Sequence, residues 1–112
     1  MKKYTFNTTL LLVSITAVIV LPRSSLAATQ AGEALVRKGD CLGCHAVSVK
    51  VVGPAFHDVA EKYAAQADAN AVLAASIKNG STGKWGDLPM PPHPNLSPAD
   101  LKKITDWILS IK

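Results

Sequence analysis

Both cysteines of this 112-residue chain fall within one string, Cys41-Leu42-Gly43-Cys44-His45, and no other residues offer chemistry so directly. Thiols three positions apart on a helical turn share a face, with β-carbons about 5–6 Å apart. Each can then add to one vinyl group of a haem, and C-x-x-C-H is the attachment signal for haem of the c type. His45 follows at once, so its imidazole is carried beneath the ring, where it can bind iron axially. Two other readings use the same cysteines. A thioredoxin-type redox pair belongs in a βαβ setting, and the sequence contains no convincing strand. A local disulfide suits an exported protein but leaves His45 without a task.

An iron held by His45 has a second side to settle. Of the two methionines, Met1 and Met90, only Met90 lies beyond the N-terminal segment, in the string Pro89-Met90-Pro91-Pro92. Prolines fix φ and remove donors, so they hold the intervening thioether at low conformational cost. The plain alternative is a gap-filling core methionine, which more often sits on a helix face than in a proline-rich loop. A bis-histidine site would draw on His57 or His93. His57 opens a short polar helix and reads as a surface residue, whereas His93 is within reach but constrained by Pro92 and Pro94.

Positioning these groups falls to the segments around them, and the first 27 residues stand apart. Lys2 and Lys3, an apolar run from Leu10 to Leu21, and the small residues Ser25 and Ala27 have the layout of a cleavable secretory signal peptide. The run of 12 residues is short of the ~20 that span a bilayer. Extended back to Phe6 it reaches 16, which keeps an uncleaved membrane anchor as the alternative. Cleavage after Ala27 fits the small-residue rule best, with Ala28 next, and leaves residues 28–112 as one domain in the periplasm. Removing Lys2, Lys3 and Arg23 takes the formal charge from +4 to +1, nine basic against eight acidic residues. That balance, without a clustered basic face, excludes nucleic acid as a partner. A domain of 85 residues has a marginal hydrophobic core, so something beyond side-chain burial should hold it together.

The mature chain reads as helices joined by loops. The first helix is predicted over 30–38, with Thr29 as N-cap, Ala31, Ala34 and Leu35 on its inner face and Gly39 as terminator. The stretch Ala46 to Phe56 alternates at Val47, Val49 and Val51 but is stopped by Gly53-Pro54, and is expected to be an extended loop. A short helix over 57–65 and a better one over 69–79, capped by Asp68 and closed by Gly80, come next. Residues 80–96 hold three of the seven glycines and four of the seven prolines, a loop composition. The last helix starts at Ser97 with Pro98 at its first position and Asp100 three after the cap. Leu101, Ile104, Ile108 and Ile111 then form one apolar stripe.

Five ordered motifs carry a resemblance: Cys41-Leu42-Gly43-Cys44-His45, Val52-Gly53-Pro54-Ala55-Phe56, Ile77-Lys78-Asn79-Gly80, Trp85-Gly86 and Pro89-Met90-Pro91-Pro92. Over nearly all of residues 29–112 the chain resembles a class I cytochrome c, most closely the short bacterial cytochrome c-551 group. The resemblance implies an all-α fold of about four helices wrapped around one haem c, bound covalently through Cys41 and Cys44. It makes His45 and Met90 the axial ligands, has the Pro54 carbonyl accept from the other nitrogen of His45, and places Trp85 as a donor near a haem propionate. Trp107 is carried over as a helix residue packed in the core. Two positions depart from the pattern: Ser76 stands where a basic residue often lies near a propionate, and His93 where Asn often follows. Losing a cation beside a propionate should raise that group's pKa, making the reduction potential depend on pH between about pH 5 and pH 8.

Iron bound by protein on both sides leaves no position for substrate. The implied function is therefore a soluble, monomeric one-electron carrier, not an enzyme, serving respiratory redox partners such as a cytochrome-reducing complex, a nitrite reductase or a terminal oxidase. Contact with the membrane would be transient, through such complexes. A haem peroxidase or gas sensor with a labile Met90 is the rival reading, weakened by the absence of a distal Arg/His pair; a membrane-anchored electron-transfer subunit is the other. Lys38, Lys50, Lys78, Lys84, Lys102 and Lys103 are read chiefly as solvated surface.

Overall fold

The computed structural model describes Met1 and residues 24–112; the apolar run of the expected signal peptide lies outside them. The described chain folds into helix α1 (Ser24–Lys38), a 3-10 turn (Cys41–Gly43), α2 (Phe56–Tyr63), α3 (Ala69–Asn79) and α4 (Pro98–Ser110). Among the described residues there is no strand; the β-type pairing present is an isolated bridge between Ser81 and Met90. No helix among them is long and apolar enough to cross a membrane.

Helix α4 is the hub, because α1, α2 and α3 all pack against it. Its start follows the local chemistry expected of it: Ser97 Oγ accepts from the Asp100 amide at 3.1 Å and donates to the Asp100 carboxylate at 2.9 Å, satisfying an orphan donor of the first turn. Leu101, Ile104 and Ile108 are buried as the stripe predicts, and Trp107 joins them. Thr105 is fully buried, and its hydroxyl is not orphaned, since it donates to the Lys102 carbonyl and accepts from Asn70 Nδ2 at 3.0 Å. Asn70 also donates to Asp106 at 2.7 Å, which locks α3 to α4 by polar contacts beside the apolar ones.

Helix α1 departs from expectation in two ways. The described helix already includes Ser24, so with residues 24–28 attached Thr29 is not an N-cap but an interior residue whose hydroxyl donates to the Ser25 carbonyl. The buried positions are Gly32 and Val36, whereas Ala34 is exposed. The cause is the closeness of α4. A β-carbon on Gly32 would collide with the Lys103 carbonyl oxygen and lie 2.7 Å from Trp107 Cβ, so the helix crosses where it has no side chain. Helix α2 begins one residue earlier than predicted and ends two sooner, and Asp68 stands at the N-cap of α3 without a side-chain cap bond, its carbonyl accepting from Val72.

Gly32→Ala should therefore lower unfolding free energy by about 1–3 kcal/mol. Ala34→Lys on the same helix should change it by less than about 0.5 kcal/mol. Denaturant titration of the two holoproteins checks both.

Candidate haem-binding site

A cavity of about 280 Å³ opens between α4 and the loops, with Cys41, Cys44, His45, Gly53, Trp85 and Met90 on its walls. Its cysteine edge is built by a sharp change of direction. The Gly39 amide closes α1 onto the Leu35 carbonyl, Asp40 turns the chain in the left-handed region at φ 59°, and the amides of Cys44 and His45 both fold back onto the Cys41 carbonyl. The two thiols are unbridged, Cys44 exposed and Cys41 half-buried. Before any bond is made to it, burial pushes the Cys41 thiol up, with a backbone hydrogen bond opposing and the Asp40 charge adding to the rise.

His45 is held from several directions. Its Nδ1–H donates to the Pro54 carbonyl at 2.7 Å. A carbonyl only accepts, so the proton sits on Nδ1 and the lone pair on Nε2, the atom a metal would take. The ring stacks on Phe56 with centroids 5.1 Å apart and planes 21° from parallel, and Phe56 in turn meets Trp107 edge-on at 5.1 Å. Gly53, beside the same ring, has no side chain to offer. A β-carbon there would collide with His45 Cε1 and come within 2.8 Å of Nδ1. The loop is held in this shape by amides of Gly53, Phe56 and His57 donating to the carbonyls of Cys44, Ala46 and Val47.

Met90 is held by more than its prolines. Its amide donates to the Ser81 carbonyl at 2.7 Å and its carbonyl accepts from the Ser81 amide at 3.1 Å. Gly80, at φ 81°, makes the turn that allows this, and a β-carbon there would lie 2.7 Å from the Met90 carbonyl oxygen. Trp85 packs against the core with Lys62 Nζ 4.3 Å from its ring centroid. Of the alternative histidines, His93 lies on the cavity wall, its amide tied to the Ile77 carbonyl. His57 does not; it stands on α2 beside Asp58 and Glu61. A pair of thiols on one turn, an imidazole with Nε2 free, a thioether and mostly apolar walls suit a flat, apolar, covalently tethered ring that needs nitrogen and sulfur ligands.

Comparison with known proteins agrees. The family model "Cytochrome c" matches residues 29–112. The chain belongs to the cytochrome c family. Cytochrome c-552 of Nitrosomonas europaea is 53% identical over 83 residues, covering 74% of this chain and 81% of the relative. Cytochrome c-551 of Pseudomonas denitrificans is 51% identical, covering 72% of this chain and 98% of the relative. The crystal structure of wild-type Nitrosomonas europaea cytochrome c552 superposes with a TM-score of 0.69 at 52% identity, over 71% of this chain and 99% of that one. This class I c-type cytochrome thus has the small all-α fold expected, carries a covalently attached haem c, and is a monohaem electron carrier.

The cytochrome's site also contains residues that no local pattern revealed. Ser81 is an ordinary loop serine in sequence, and Phe56 an ordinary apolar residue. The one signal available for Phe56 was its place in Val52-Gly53-Pro54-Ala55-Phe56.

Gly53→Ala should push the His45 ring off the Pro54 carbonyl and destabilise the holoprotein by about 1–3 kcal/mol. NMR of the His45 Nδ1 proton, together with denaturant titration, checks this, and an unmoved resonance with unchanged stability would contradict it.

Proposed function

We propose that Cys41 and Cys44 carry the thioether bonds, that His45 and Met90 are the two axial ligands, and that the protein works as a soluble periplasmic carrier between respiratory redox proteins. The observation that carries this reading is that a histidine with Nε2 free and a methionine anchored through both its backbone groups lie on one cavity. Bound haem supplies a one-electron ferric/ferrous couple, and a thioether ligand favours the ferrous form. The chain's share is positional. Pro54 and Gly53 hold the imidazole, Ser81 and the flanking prolines hold the thioether, and Phe56, Ile104 and Ile108 keep water from the inner wall. With both ligand positions filled by protein, substrate has no place to bind, which favours a carrier over an enzyme.

Leu42, Val47, Val49, Val51, Val52 and Leu88 are exposed. Apolar side chains exposed in this number favour brief docking of partners such as a cytochrome-reducing complex, a nitrite reductase or a terminal oxidase. Export rests on the N-terminal signal layout. Among the described residues, 25–27 are exposed and the first buried one is Gly32, which suits a domain of residues 28–112.

Expressed as the full precursor in a host with haem-maturation machinery, the protein should appear in the periplasmic fraction with an intact mass corresponding to a start at Ala28 or Thr29 plus one haem. Its ferric spectrum should show the weak far-red band of His/Met ligation, absent in Met90→Ala, whose ferrous form should bind carbon monoxide readily. A wild-type protein without the band that itself bound carbon monoxide would favour a peroxidase or gas sensor. Retention in the membrane fraction would favour an anchored subunit.

A further inference from the structure

Two lysines distant in sequence, Lys62 and Lys84, meet beside Trp85 on the cavity wall. Lys84 Nζ donates to Ser76 Oγ at 2.9 Å, tying the loop after α3 back onto that helix. From α2, Lys62 Nζ donates to the Lys84 carbonyl at 3.1 Å while lying over the Trp85 ring. Ser76, Lys84 and Trp85 all line the cavity. Among the described residues, no carboxylate pairs with either lysine. An ammonium has three donors, and Lys84 spends one of them on Ser76.

A haem bears its two propionates on the edge away from its vinyl carbons. Here the vinyl edge belongs to the cysteine turn, which packs on α1, while Ser76 and Lys62 stand on α3 and α2, which pack on α4. We propose that Lys84, anchored by Ser76 and backed by Lys62, is the cation that meets a haem propionate in this chain and keeps that carboxylate ionised. The cation expected to be missing at Ser76 is thus supplied from the loop, with the serine hydroxyl as its rest. This inference depends on the haem seating proposed above. Other charged or titratable groups facing the cavity are Lys50 from the loop before α2, Tyr63 from α2, Asp87 from the loop of Lys84, and His93 beyond Met90. Asp87 acts against Lys84 and Lys50 acts with it, while α4 presents only apolar Ile104 and Ile108.

The test is the reduction potential of the full holoprotein as a function of pH. A propionate gives a window, bounded by its pKa in the ferric and ferrous states, in which the potential falls as pH rises. A nearby cation favours the ionised form and keeps that window low. Lys84→Val should therefore move it up by about one pH unit, a tenfold loss of carboxylate acidity. Ser76→Ala should move it less, in the same direction. Ser76→Lys in the Lys84→Val background should bring it back down. Windows that coincide in wild type and Lys84→Val would overturn the inference, as would a Lys84→Val effect confined to the salt dependence of electron transfer to partners. The far-red band of the wild type separates the two readings: its absence speaks against the haem seating, an unmoved window with the band intact speaks against Lys84.

Discussion

The hydrogen bond from His45 Nδ1 to the Pro54 carbonyl, 2.7 Å long, is the constraint on which the rest of the site depends. It fixes the tautomer and so decides which nitrogen is left free to bind a metal. It also dictates the backbone around it. Gly53 has no side chain because the ring occupies that space, and the amides of Gly53 and Phe56 return to the carbonyls of Cys44 and Ala46. Phe56 then passes the position of the ring to Trp107 on α4. Packing of the helices and orientation of the imidazole are therefore one problem, solved by a chain of three aromatic rings, one pair stacked and the other edge-on.

Haem in such a site is part of the core. The cavity of about 280 Å³ is walled by core residues such as Val36, Leu73, Ile104 and Ile108, so the covalently attached haem completes the core of a small domain whose side-chain burial alone is marginal. Met90 illustrates the same economy: its bridge to Ser81 closes the glycine-rich loop and places the thioether in one step.

Legibility in the sequence followed the range of each interaction. Helices α3 and α4 were readable from apolar spacing and from Asp68, Gly80 and Ser97, since those signals act within a turn or two. The loop nature of 46–55 was readable from Gly53-Pro54. The inner face of α1 was not legible, because Gly32 is buried by the approach of Lys103 and Trp107, about seventy residues away. Thr29 lies inside the described helix, which already holds Ser24 to Ala28. Ser76 looked like a lost cation, because nothing local says that Lys84 folds back to it.

The sequence alone determined the chemistry on offer. Two thiols at fixed spacing, an adjacent imidazole and one proline-bound thioether are covalent facts of the chain, and with the four helical patterns they specify a haem protein of one domain. Tertiary structure decided how those groups are held: which ring nitrogen is free, which glycines admit a neighbour, which serine secures Met90, and which lysine stands at the rim. These depend on contacts between residues distant in the chain, whose geometry exists only after α1, α2 and α3 have closed on α4.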